Sequence, residues 1–156
     1  MTESVARGHV SLPGLSGKVW FGAVFLDERE RDELFAELDA NDVSVVWNLQ
    51  EYRNSYEDER AHFKAVIWTP IPDYGVPEDR QVFVRDLDRV IALLRQGISV
   101  YVHCAAGHGR TGMALAAMLV RLGVPARQAL SQVQEAIGGP EVAEQEEFVE
   151  TIEPAA

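Results

Sequence analysis

Short runs of β-branched and aromatic residues alternate along this chain with longer stretches in which apolar positions recur every three or four residues. KVWFGAVF, from Lys18, predicts a first strand, entered from a lead containing proline and glycine. DERERDELFAELDAND follows, with Asp27 suited to an N-cap and Leu34, Phe35 and Leu38 on one helical face. VSVVWNL, Val43 to Leu49, predicts a short buried strand, whereas EYRNSYEDERAHF is polar and only weakly helical. AVIWTPI predicts another strand, stopped by Pro72, and IPDYGVPED is rich in turn formers. DRQVFVRDLDRVIALLRQG carries Val82, Leu87, Val90, Ile91 and Leu94 at helical spacing and ends on Gly97. ISVYVH is an apolar strand that runs directly into Cys104. RTGMALAAMLVRLG predicts an apolar helix closed by Gly123. PARQALSQVQEAIGG predicts a second, with Pro125 near its first position, and EVAEQEEFVETI a final acidic one.

Strands alternating with helices predict an α/β fold, with a mostly parallel central sheet of four to five strands and helices on both faces. A single domain spanning 1–156 is expected, with the apolar helix after the cysteine at its centre. Ligands of open α/β sheets bind beyond the carboxyl ends of strands, and Cys104 sits at one such end. Trp20, Trp47 and Trp68 lie on strands and are expected in the core. Arg80, Arg85 and Arg89 predict a solvated face offset by Asp86 and Asp88.

Charge narrows the partners. The formal net charge is -11, from 14 Lys and Arg against 25 Asp and Glu, which disfavours nucleic acid and anionic membranes. A phosphate site is still allowed if it makes its own local positive potential. The single cysteine excludes an intramolecular disulfide and a cysteine-based zinc site, and His9, His62, His103 and His108 show no ligand spacing. No metal and no cofactor are expected. MTESVARGHVSLPG lacks the apolar core of a secretion signal, and MALAAMLV is too short to span a bilayer. The expected compartment is the cytoplasm, with Cys104 kept reduced. Oligomeric state is left open, with a monomer the expectation.

HCAAGHGRTG, His103 to Gly112, is the stretch that carries chemistry. A strand, a short glycine-rich loop and a helix N-terminus together cradle phosphate, because backbone N–H groups converge where the helix dipole favours negative charge. Gly107 and Gly109 permit close backbone approach, and Arg110 can grip a phosphoryl group through its planar fork. The same positive surroundings favour a thiolate on Cys104, a nucleophile aimed at a cradled phosphorus.

Cys-x5-Arg-Thr-Gly resembles the signature of the protein tyrosine phosphatase superfamily, in its small dual-specificity-like branch of bacterial, archaeal and atypical enzymes. The resemblance runs from about Lys18 to Phe148 and implies a cysteine phosphatase fold. It implies Ala105, Ala106, Gly107, His108, Gly109 and Arg110 as the phosphate-binding loop. The leaving oxygen needs a proton, so a carboxylic acid is expected upstream, and Asp73 in PIPDYGVPED resembles the family's acid loop. Pro72 and Pro77 bracket that loop and Gly75 is its expected hinge, while Glu78 and Asp79 belong to the first turn of the next helix. Thr111 is expected to donate to the Cys104 sulfur, and His103 to shape the loop from beneath. Asn48 ends its strand either as a brace for the loop or as a plain turn residue. His108 is expected at the loop rim, facing outward, as a specificity residue. GGPEVAEQEEF resembles the family segment that brings a glutamine to the site, without its usual arginine and Ser/Thr. Gln145 either orients the hydrolytic water or is an exposed helix residue.

The implied activity is metal-independent hydrolysis of phosphotyrosine, and of phosphoserine and phosphothreonine, in phosphorylated protein substrates through a phosphocysteine intermediate. An inositol-phosphate or phosphoinositide phosphatase on the same fold is the alternative, made less favourable by Ala105 after the cysteine and by His108 as the only basic addition. An RNA 5′-phosphatase is opposed by the net charge. A non-catalytic phosphate-binding module and a rhodanese-like sulfurtransferase are alternatives of other classes.

Overall fold

The computed structural model describes residues 5–52, 54–106 and 108–155. Its elements in chain order are β1 (Ala6–Ser11), β2 (Lys18–Gly22), α1 (Glu28–Ala40), β3 (Val43–Asn48), α2 (Tyr56–His62) and β4 (Ala65–Trp68). They continue with α3 (Arg80–Arg95), β5 (Ser99–His103), α4 (Gly109–Arg121), α5 (Ala126–Ile137) and α6 (Ala143–Glu150). The sheet has five strands in the order β1-β2-β5-β3-β4. All neighbours are parallel except β1 and β2. The expected α/β architecture is what the chain adopts.

Strand alternation sorts side chains between two cores. Val100, Val102 and Cys104 face the layer built by α3, α4, α5 and α6, and Tyr101 faces the layer of α1 and α2. A register shift between Val43 and Val45 puts Val43 and Val46 on the α1 side and Val45 and Trp47 on the other. The same two-residue period sends the His103 side chain toward α2, one residue before the chain turns into its cysteine loop.

Helix α4 carries no polar outer face in its middle, because Met113 to Val120 are all buried between the sheet and its neighbouring helices. The expected Asp27 cap forms, and Asp79, expected in the first turn of α3, caps that helix instead. Asp27 accepts from the Glu30 amide at 2.8 Å, and Asp79 accepts from Gln81 and Val82 at 3.0 and 3.2 Å.

Two elements differ from the sequence expectation. β1 was expected only as a lead, since its Arg, His and Ser alternate on an exposed edge and only Ala6 is buried. The polar segment before β4 contains a true helix, α2, whose one buried residue is Glu59. Asp88 pairs with Arg121 at 2.8 Å, and Asp86 offsets the exposed Arg85 at 3.2 Å as expected, but from a buried position. Asp86 is 3% exposed and accepts at 2.7 Å from Thr69, whose hydroxyl in turn accepts from the Trp47 indole at 2.8 Å. Of the three tryptophans only Trp47 is fully buried; Trp20 and Trp68 are half-buried.

Candidate active site

β5 ends at His103, and the loop that follows is pinned from both sides. The Leu49 amide donates to the His103 carbonyl at 2.9 Å, and the Val24 amide donates to the Ala105 carbonyl at 3.1 Å. The loop closes into α4, where the Gly112 amide donates to His108 at 2.6 Å. Cys104 is 2% exposed, and its sulfur accepts from the Thr111 hydroxyl at 3.2 Å, as expected from the sequence. Ala105 and Ala106 are exposed, Gly109 is buried, and Gly107 lies outside the described residues.

Arg110 is buried and turned toward the acid loop. Its Nη1 donates to the Ile71 carbonyl at 3.0 Å, and its Nη2 lies 3.4 Å from an Asp73 carboxylate oxygen. The structure thus brings the loop arginine and the expected acid together across 37 residues of sequence, counting 73 to 110. Asp73 itself keeps 65% of its side chain in solvent. A turn closes from the Gly75 amide to the Pro72 carbonyl at 2.8 Å. Its left-handed residue is Tyr74, at φ +58, rather than the glycine expected to be the hinge. Tyr74 is also among the most exposed large side chains.

Gln145 is fully buried, so the exposed-helix reading is overturned. Its Oε1 accepts from the Glu141 amide at 3.1 Å, and its Nε2 donates to the Gly75 carbonyl at 3.1 Å, tying α6 to the acid loop. The segment before it presses on the cysteine loop. A Cβ placed on Gly139 would meet the His108 carbonyl oxygen at 2.1 Å, so only glycine allows this approach.

His108 is half-buried and lines a surface groove, with one ring nitrogen engaged. Its Nδ1 donates to the Ile137 carbonyl at 2.9 Å, at the end of α5, because the Gly138–Gly139 turn brings that carbonyl under the loop. His103 shapes the loop from beneath, with Nδ1 donating to its neighbour's carbonyl on Cys104 at 3.2 Å. Its Nε2 meets the Glu59 carboxylate at 2.5 Å. Asn48 donates to the other Glu59 oxygen at 2.8 Å and to Ser55 at 3.2 Å, and it accepts from the Gln50 amide at 2.9 Å. It therefore braces the loop at one remove, through Glu59 and His103.

Glu59 was not singled out from the sequence. It lies among three other carboxylates of the same short segment, Glu57, Asp58 and Glu51, and its partner is 44 residues away. The burial of one acid in a charged run leaves no local signal. The carboxylate of Glu141, which accepts from the Gly109 amide at 3.0 Å, was likewise hidden in an acidic stretch. Tyr101 stacks on His103 and donates to the Ala23 carbonyl at 2.6 Å. Burial, and then the nearby Glu59 charge, hold its phenol well above the ordinary tyrosine range, so it remains a donor.

Among the described residues no cluster of three or more histidine, cysteine or carboxylate side chains is placed to hold a metal ion. No described helix is long and apolar enough to cross a membrane.

Comparison with known proteins places this geometry. A family model, Tc-R-P, described as "Polymorphic toxin system, DSP-PTPase phosphatase", matches residues 25–124. That span includes both Asp73 and the cysteine loop, and ends before α5. Over 80 residues the chain is 41% identical to Tyrosine-protein phosphatase 1 of Caenorhabditis elegans, a stretch that is 47% of this chain and 7% of that protein. The crystal structure of Tk-PTP in the active form is 30% identical, with a TM-score of 0.73 over 90% of this chain and 97% of that one. PTPMT1 in complex with PI(5)P, at 22% identity, has a TM-score of 0.65 over 86% of this chain and 88% of that one, and shares the fold.

Proposed function

We propose that this chain, which belongs to the Tc-R-P family of DSP-PTPase phosphatases, hydrolyses phosphotyrosine, and phosphoserine and phosphothreonine with it, in phosphorylated proteins. One observation supports this reading above the rest. A buried arginine of the cysteine loop reaches the carboxylate of a separate loop, which sets the proposed anion fork beside the proposed acid.

In the proposed reaction the Cys104 thiolate attacks phosphorus as the bond to the leaving oxygen breaks. Arg110 and the loop amides take the three equatorial oxygens, where charge accumulates. Asp73 delivers its proton to the departing oxygen and becomes a carboxylate. Water then attacks the thiophosphate, Asp73 takes that water's proton, and phosphate leaves as the sulfur–phosphorus bond breaks. Thr111, bonded to the sulfur, steadies it as attacker and as leaving group. Gln145, buried beside Gly109 and bonded to the acid loop, is suited to orient the water.

The inositol-phosphate alternative loses support from His108. Its ring, the only basic addition to the loop, is engaged with the Ile137 carbonyl, and the residue after the cysteine is an alanine. A non-catalytic phosphate-binding module has no need of Cys104, Arg110 and Asp73 together, and a sulfurtransferase has no need of Asp73. The test is kcat/KM for phosphate release from a phosphotyrosine peptide, a phosphothreonine peptide and a soluble phosphoinositide, with Cys104→Ser as the blank. Higher values on the peptides are expected. Preference for the phosphoinositide overturns the substrate class, and release from none of them overturns the enzyme.

A further inference from the structure

We infer that Glu141 is a specificity-determining carboxylate at the mouth of the phosphate loop, occupying an amide the phosphoryl group needs and excluding ligands with a second phosphate beside the first. The inference rests on reading the loop as a phosphate cradle.

Gly109 opens α4, so its amide is one of the orphan donors at a helix start, in the loop that the proposed function assigns to the phosphoryl group. In the structure that amide is taken by Glu141, whose Oε1 lies 3.0 Å away. A Cβ on Gly109 would meet this oxygen at 2.9 Å and the Gln145 Oε1 at 3.2 Å, so the absent side chain is what admits both groups. On the other side of the loop Asp73 lies against Arg110. Each kind of phosphate ligand in the loop, amide and guanidinium, is thus already matched to a carboxylate of the same chain.

The two ends of Glu141 are held differently. Its backbone is fixed, because its amide donates to the buried Gln145 and the residue before last, Gly139, is wedged against His108. Its side chain is exposed and can swing into water when a phosphoryl oxygen takes the amide. A single dianion that also gains Arg110 and the other amides displaces it at modest cost. A neighbouring phosphate meets it again at the rim, with no loop amide to gain there.

The surroundings reinforce the sign. Glu141 lines one groove with Arg7, His108 and Glu135, and a second with Arg127, Glu146 and Glu150. Three further carboxylates face two guanidiniums, and the His108 ring is engaged with a carbonyl. The rim beside the loop is acidic, so like-charge repulsion is the contribution a second phosphate adds.

The test uses the full chain in a Cys104→Ser background, titrated with tungstate by calorimetry, with Glu141→Gln and Glu141→Ala compared. Tungstate is expected to bind about threefold or more tighter when the carboxylate is removed, the size of a rim charge contact. Equal or weaker binding in both variants overturns the inference while leaving the phosphate loop intact. Failure of the unsubstituted loop to bind tungstate at all overturns the cradle and the proposed function with it. With Cys104 restored, Glu141→Gln is expected to raise kcat/KM on a soluble inositol bisphosphate more than on a phosphotyrosine peptide. An unchanged ratio between the two overturns the specificity role.

Discussion

The two loops that meet at Arg110 are built on opposite plans. The cysteine loop is pinned by amides from both neighbouring strand ends, closed into a buried helix, and wedged by Gly139. The acid loop leaves Asp73 and Tyr74 largely in solvent, and bends through a left-handed tyrosine. Its contacts to the rest of the site come from Arg110 and Gln145, both of which stand beside the cysteine loop. The proposed nucleophile is therefore held by the sheet, whereas the proposed acid, beyond its buried root at Ile71, meets Arg110, a group that the proposed substrate would engage. A phosphatase built this way fixes the attack trajectory and leaves the proton donor responsive to what occupies the loop.

The strongest blow to the held loop is Cys104→Ser. Turnover is expected to fall by at least about a thousandfold, with oxyanion binding retained; residual kcat near wild type would exclude covalent catalysis by this residue. Asp73→Asn strikes the responsive loop. Alkyl phosphates with poor leaving groups are expected to slow by about 10²- to 10⁴-fold and activated aryl esters far less, measured as kcat/KM along a leaving-group series. Uniform slowing would remove Asp73 from the acid role.

Gly139→Ala asks whether the wedge matters to the held loop. The new methyl must push the His108 carbonyl aside, at a cost of about 1–3 kcal/mol in urea unfolding. Unchanged stability would show that the segment yields freely. Gln145→Ala loosens the acid loop by removing its bond to the Gly75 carbonyl, and frees the Glu141 amide as well. A severalfold fall in kcat with stability lowered by about 1 kcal/mol is expected, and a larger loss of stability than of rate would assign Gln145 to packing.

The smallest effect lies in the strand beneath. Tyr101 holds its proton more tightly folded than unfolded, because burial raises its pKa. Its contribution is complete below the ordinary tyrosine value of about 10 and is lost as pH rises from there through the folded value. Wild type should therefore lose stability above that pH more steeply than Tyr101→Phe, as followed by urea midpoints; parallel curves would contradict the shift.

Legibility followed the range of the interactions. Cys104, Arg110, Thr111 and their glycines form one contiguous run, so a strand, a turn and a helix start specify them together. Asp27 and Asp79 were readable as helix-start residues for the same reason, since a cap bonds to its own first turn. Glu59, Asp86 and Glu141 were not. Each is an acid in a charged stretch, singled out only by a partner far away in sequence or by an amide on another element. β1 escaped notice because an edge strand with one buried residue leaves almost no alternation to read. The His108 bond was out of reach too, since the carbonyl that engages its ring belongs to α5.

The chain of contacts from Trp47 through Thr69 to Asp86 has a mechanical consequence. Thr69 and the fully buried Ile71 are anchorage points at the root of the acid loop. Asp73 stands two residues beyond Ile71, so its tether is at most about 7 Å long when fully drawn out. Such an arm sweeps a short arc and returns to the same socket. If Asp73 delivers the proton as proposed, a flick of two peptide units suffices to carry it.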